Sequence, residues 1–214
     1  MSLFIDPNFI LPALFFVMAI IYASVGHGGA SGYLAVMALF SLTPEEMRPT
    51  ALMMNIAVSS LAVYFYFKAS SFSWALFWPL ATTSIPLAYL GGMIQVSEAI
   101  YKPIIGLVLL FAAYQSIVPK KQTDTEIIKP PTSWILIPAG AGLGFLSGLT
   151  GVGGGIFLSP LLLFTRWAKI RTISGVAALF ILVNSVMGLA GFIVSGRTIP
   201  EVSTLWVLAA LAGG

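Results

Sequence analysis

The 214-residue chain has no cysteine, a single histidine, and seven acidic against ten basic residues. Without cysteine there is no disulfide, no thiolate nucleophile and no Cys-ligated metal. Charged residues make up 8% of the chain, where soluble proteins carry roughly 25%. No polar stretch is long enough to form a separate soluble domain. The net charge of +3 is too small and too scattered for a nucleic-acid partner. No G-x-x-x-x-G-K-[ST] loop occurs, so energy from ATP would need another subunit, and no cofactor motif is legible. The N-terminus, Met1-Ser2-Leu3-Phe4-Ile5-Asp6, lacks a basic region and a clear cleavage pattern, which makes the first apolar run a structural helix and not a removable signal.

What remains is hydrophobic: 58% of residues, with mean hydropathy +1.00. Apolar runs fall near 9–25, 29–42, 50–68, 73–94 and 100–118, then near 134–150, 154–165, 172–195 and 203–214. Several windows exceed the ~18 apolar residues of a spanning helix. The pattern predicts an all-α polytopic transmembrane bundle. It divides into a repeat over 1–118, a cytoplasmic linker over 119–132 rich in Lys, Thr, Asp, Glu and Pro, and a second repeat over 133–214.

The repeat is read from glycine. Gly26-His27-Gly28-Gly29 returns as Gly151-Val152-Gly153-Gly154-Gly155, 125 residues later. The same shift lays Ala19 on Gly144, Leu39 on Phe164, Ser60 on Ser185, Leu61 on Val186 and Leu80 on Leu205. The second run of each half is short: about 14 residues rise ~20 Å, less than the ~30 Å hydrocarbon core. Residues 9–42 and 134–165 therefore read as broken or re-entrant helix pairs with glycine tips. Irregular backbone at that depth must be covered by protein or line a wet cavity, and matched interruptions in two halves point to a transporter's binding site.

Charge gives the orientation. Lys68, Lys120, Lys121, Lys129, Arg166, Lys169 and Arg171 share one side; Arg48, Lys102 and Arg197 share the other. The positive-inside rule puts the seven in the cytoplasm and the N-terminus outside. Equivalent loops then lie on opposite faces, so the repeats are inverted. A counterpart of residues 90–118 would occupy 215–243, so the spacing predicts about 29 residues beyond Gly214 in the natural protein.

At the glycine loops the chain resembles the sulfite exporter TauE/SafE family of bacterial membrane permeases. The residues are Gly151-Val152-Gly153-Gly154-Gly155, Ser159-Pro160 and Leu182-Val183-Asn184-Ser185; in the first half, Gly26-His27-Gly28-Gly29 and Pro49-Thr50-Ala51-Leu52-Met53-Met54-Asn55. The resemblance spans nearly the whole chain, with His27 standing where an apolar residue is commoner. It implies multi-pass placement in the bacterial inner membrane and transport of a sulfur oxyanion, a sulfonate or a related organic acid. Substrate, direction and oligomeric state stay open.

The residues themselves offer an anion few cations at membrane depth, because every lysine and arginine falls near a predicted segment end. The candidate binding groups are backbone N–H groups freed at half-helix N-termini, approached closely because glycine has no side chain. The expected substrate site is thus Gly26, His27, Gly28, Gly29, Gly151, Gly153, Gly154 and Gly155, with Asn55, Ser59, Asn184 and Ser185 as amide or hydroxyl donors and no metal. Small residues also serve simple helix packing, and polar ones interhelical bonding. His27 is a candidate for proton coupling, against the alternative of a neutral histidine bonded to backbone or facing water; sodium coupling through unwound carbonyls leaves no legible trace in the sequence. Trp74, Trp78 and Trp134 read as interfacial anchors.

Two other readings compete. A channel or structural membrane subunit would also tolerate inverted repeats, though no ring or stripe of charge marks a filter. Gly29-Ala30-Ser31-Gly32 resembles the serine motif of rhomboid intramembrane proteases, but a serine nucleophile needs a base on another element and His27 shares its loop. The sequence favours a transporter over an enzyme.

Overall fold

The computed structural model describes residues 7–25, 29–117, 133–200 and 203–214. Gly26, His27, Gly28 and the 119–132 linker lie outside the described residues. Those described form α1 (Pro7–Val25), α2 (Ala30–Leu39), α3 (Pro44–Lys68), α4 (Trp74–Met93), α5 (Glu98–Ile117), α6 (Ser133–Thr150), α7 (Gly155–Thr165), α8 (Ile170–Val194) and α9 (Ser203–Gly213), with no strand among them. The fold is an all-α polytopic bundle. Among the described residues, four stretches are long and apolar enough to cross a bilayer: Pro44–Lys68, Glu98–Gln115, Ser133–Thr150 and Ile170–Val194. The 10 residues of α2 and 11 of α7 rise only ~15 Å, half a hydrocarbon core.

One boundary departs from the apolar runs. α3 starts at Pro44, six residues before the run at 50. Its first turn is polar and is held by capping, not burial: the Glu46 carboxylate accepts from the Thr43 N–H and hydroxyl, each at 2.8 Å, and Pro44 supplies a preset φ.

The 125-residue shift carries α1, α2 and α3 onto α6, α7 and α8 almost residue for residue. The packing obeys it too: α4 lies against α6 and α8, and α9 against α1 and α3. One core joins α9 to α1, α2, α3 and α5, and the other joins α4 to α6, α7 and α8. Phe15, Tyr33, Met54 and Trp206 belong to one core; Leu80, Leu136, Leu158 and Phe180 to the other. α3 and α8 pack on each other between them.

α4 and α6 meet backbone to backbone. Gly140, Gly144 and Gly148 recur at every fourth position of α6, and a Cβ on them would stand 2.4 Å from Leu80 O, 2.3 Å from Ser84 O and 1.9 Å from Ala88 O of α4. This is the small-residue packing that membrane helices use where lipid gives no hydrophobic drive to associate.

The outside is apolar, with Leu107, Leu110, Phe164 and Val194 all exposed, as a lipid-facing surface requires. Phe67, Phe72, Trp74, Phe77 and Trp78 form a contiguous aromatic cluster at the α3–α4 turn, beside Lys68. Trp74 is 50% exposed and stacks on Trp78 at 5.9 Å. Trp74→Phe keeps an aromatic ring there, so transport rate in proteoliposomes should change less than about twofold.

Candidate functional site

The site begins where α6 stops. α6 ends at Thr150, and Gly151, Gly153 and Gly154 follow with φ of 84°, 76° and 77°. These left-handed angles cost a side-chain-bearing residue about 1–2 kcal/mol each, so the turn needs glycine. Residues 151–155 are all buried, and every free carbonyl at such a helix end requires a donor.

Those donors come from the first half. Arg48 on α3 donates to Gly148 O at 2.9 Å, Tyr101 on α5 to Thr150 O at 2.8 Å, and Asn55 on α3 to Gly151 O through Nδ2 at 3.1 Å. Three carbonyls at the break, those of Gly148, Thr150 and Gly151, thereby have donors. None of the Gly153, Gly154, Gly155 or Ile156 amides donates within the described protein. These four groups open α7, where the positive end of its dipole lies. A Cβ at Gly153 would stand 2.9 Å from Ile181 Cγ2, 3.0 Å from Asn55 Nδ2 and 3.2 Å from Ser185 Oγ. Ser185 Oγ is buried without a partner, as are the Asn55 and Asn184 Oδ1 atoms.

The structure thus brings Asn55, Gly151, Gly153 and Ser185 together. Gly154 is the N-cap of α7 and Gly155 its first residue. Ser59 is turned aside: its hydroxyl donates to Asn55 O within α3. Asn184 spends Nδ2 on Phe180 O at 2.8 Å within α8. At the first tip, Gly29 is the N-cap of α2 with φ −69°, unlike its counterpart Gly154. A Cβ on Gly29 would stand 2.5 Å from the hydroxyl of Tyr33, which is buried and unpartnered.

One expectation is overturned. Arg48 lies near the start of α3, as its segment predicts, yet it is not available to water: it is 1% exposed. Besides Gly148 O it donates to Ile94 O at 2.8 Å, Gly91 O at 2.9 Å and Gly92 O at 3.3 Å. The negative ends of α4 and α6 thus compensate the charge. Arg197 also donates to Gly92 O and lies 4.1 Å over the Phe192 ring. Burial lowers the Arg197 pKa from its ordinary value, while Glu45 works to raise it. Sequence reasoning missed this cluster and Tyr101; the adjacent pair Gly91-Gly92, closing a helix, was the available signal.

Ser31 does not resemble an activated nucleophile. Its hydroxyl donates to Tyr22 Oη at 2.9 Å, with neither imidazole nor carboxylate in hydrogen-bond contact among the described residues.

A bundle of apolar-faced helices, broken at buried depth around unspent polar groups, defines a polytopic membrane transporter. The chain belongs to the sulfite exporter TauE/SafE family, whose family model matches residues 11–214. It is similar to the probable membrane transporter protein y4hK of Sinorhizobium fredii (strain NBRC 101917 / NGR234), 38% identical over 207 residues that cover 95% of this chain and 84% of that protein. No solved structure matches.

Proposed function

We propose that the protein is a secondary transporter of a small anion, a sulfur oxyanion, a sulfonate or a related organic acid, bound at the break between α6 and α7. The observation that carries this reading is the set of unpartnered donors at the break. Arg48, Tyr101 and Asn55 satisfy the Gly148, Thr150 and Gly151 carbonyls, while four amides and the Ser185 hydroxyl have no partner among the described residues. Buried donors without acceptors are costly, about 1–3 kcal/mol each, unless a ligand accepts from them. An oxyanion does so and also meets the helix dipole favourably.

The rest of the reading follows from topology. The exchange of α4 and α9 between cores supports two related halves, and the basic residues support inverted ones in the inner membrane with the N-terminus outside. The first glycine tip, Gly26, His27, Gly28 and Gly29, is the sequence counterpart of this break, and His27 is the proton-coupling candidate.

Uptake into proteoliposomes of sulfite, thiosulfate, sulfoacetate and a plain carboxylate, with and without a pH gradient, tests the function. Gly153→Val tests the site, because its side chain would enter the space between Ile181, Asn55 and Ser185. Saturable uptake lost in folded Gly153→Val is expected. Normal uptake by that variant would mean the loop is only a packing device.

A further inference from the structure

The orientation of Asn55 says more about the ligand than its presence does. A carboxamide nitrogen and oxygen are told apart by their partners. Gly151 O can only accept, so the atom 3.1 Å from it must be Nδ2. That leaves Oδ1 on the other branch of the amide, buried and without a donor. Asn184 repeats the arrangement: Nδ2 is tied to Phe180 O, and Oδ1 is buried and unpartnered. The two amides expected from sequence to donate to an oxyanion instead hold out lone pairs. Ser185 Oγ can give one hydrogen and accept another.

A fully deprotonated oxyanion fits this set poorly. It satisfies the Gly153–Ile156 amides, but it has no hydrogen to offer the Asn55 oxygen and leaves that buried acceptor unpaired once water is expelled. We propose that the transported anion carries a hydrogen-bond donor close to its charge, a hydroxyl, an N–H or an acid O–H, and that Asn55 Oδ1 accepts it. This rests on the proposed site: the charged group sits on the α7 amides and Ser185, and the donor points across to α3. Such a site discriminates strongly, because a substrate lacking the donor leaves a buried acceptor unpaired, whereas an apolar pocket barely separates the two.

The test is a pair of matched anions in proteoliposomes holding the full chain: 2-hydroxyethanesulfonate against ethanesulfonate, and lactate against propanoate. The hydroxylated member of at least one pair should show about 10- to 100-fold higher kcat/KM. In Asn55→Leu that ratio should collapse towards one through loss of the hydroxylated substrate's advantage. The wild-type ratio alone carries the test if this variant fails to fold. Equal kcat/KM within both pairs would overturn the proposal. So would uptake of donor-free thiosulfate with neither hydroxylated anion taken up, or a preference for donor-free anions that vanishes when choline replaces sodium, since a cation would then fill the Asn55 oxygen. Gly153→Val separates the two claims. Normal uptake by that variant removes the site itself; lost uptake beside a flat wild-type ratio removes only the donor requirement.

Discussion

Gly148→Val is expected to leave little folded protein. A Cβ at that position would lie 1.9 Å from Ala88 O and 2.8 Å from Gly92 N of α4. Both are backbone atoms of a helix, so relief requires α4 and α6 to move apart, with no rotamer change to absorb the clash. Gly144 lies one turn earlier, 2.3 Å from Ser84 O by the same measure, and would lose its contact as the helices separate. The same displacement pulls Gly148 O from Arg48. Overpacking a close-packed site costs about 1–3 kcal/mol when side chains can adjust, and a backbone-to-backbone clash sits at or above the top of that range. Gly142 is the control on the same helix, since a Cβ there meets nothing within 4 Å. Gly142→Val should elute from a sizing column in detergent like the parent, while Gly148→Val should aggregate. Equal monodisperse yield for both would show that the α4–α6 contact is looser than described.

The helices were legible because their apolar runs are long and end at charged or glycine-bearing turns; Lys68 closes one and Gly151 another. The short α2 and α7 were legible by length against membrane thickness. The polar first turn of α3 was not, since Pro44, Glu45 and Glu46 carry no hydropathic signal and are held by Thr43. At the site, the clustering of Gly151, Gly153, Asn55 and Ser185 followed from the repeat and from polarity in apolar segments. The direction of the Asn55 amide did not, because it is set by a carbonyl 96 residues away. The stripe Gly140, Gly144, Gly148 was visible as spacing. Its partner on α4 was not, because α4 packs on α6 and α8, which lie further along the chain.

Arg48→Leu should be the most damaging change of a charged residue. A lone arginine in an apolar helix was expected at a membrane boundary, where it could reach water. Its burial is compensated only through acceptors that two helix ends of the fold supply together. Gly91, Gly92 and Ile94 end α4, Gly148 lies in the last turn of α6, and all four carbonyls accept from the one guanidinium. Leucine fills similar space yet donates nothing, so carbonyls at two helix ends lose their partner where water is excluded. At about 1–3 kcal/mol for an unsatisfied buried group, with Arg197 still available to Gly92, the loss should be about 3 kcal/mol or more. Arg48→Lys should recover only part of it, because an ammonium has three donors at one point and cannot span carbonyls from separate helices as the planar fork does. Unfolding by denaturant in micelles should rank wild type above Arg48→Lys and Arg48→Leu last. If lysine proved as good as arginine, a point charge at the helix ends would suffice, and the four-carbonyl arrangement would not be what holds α3, α4 and α6 together.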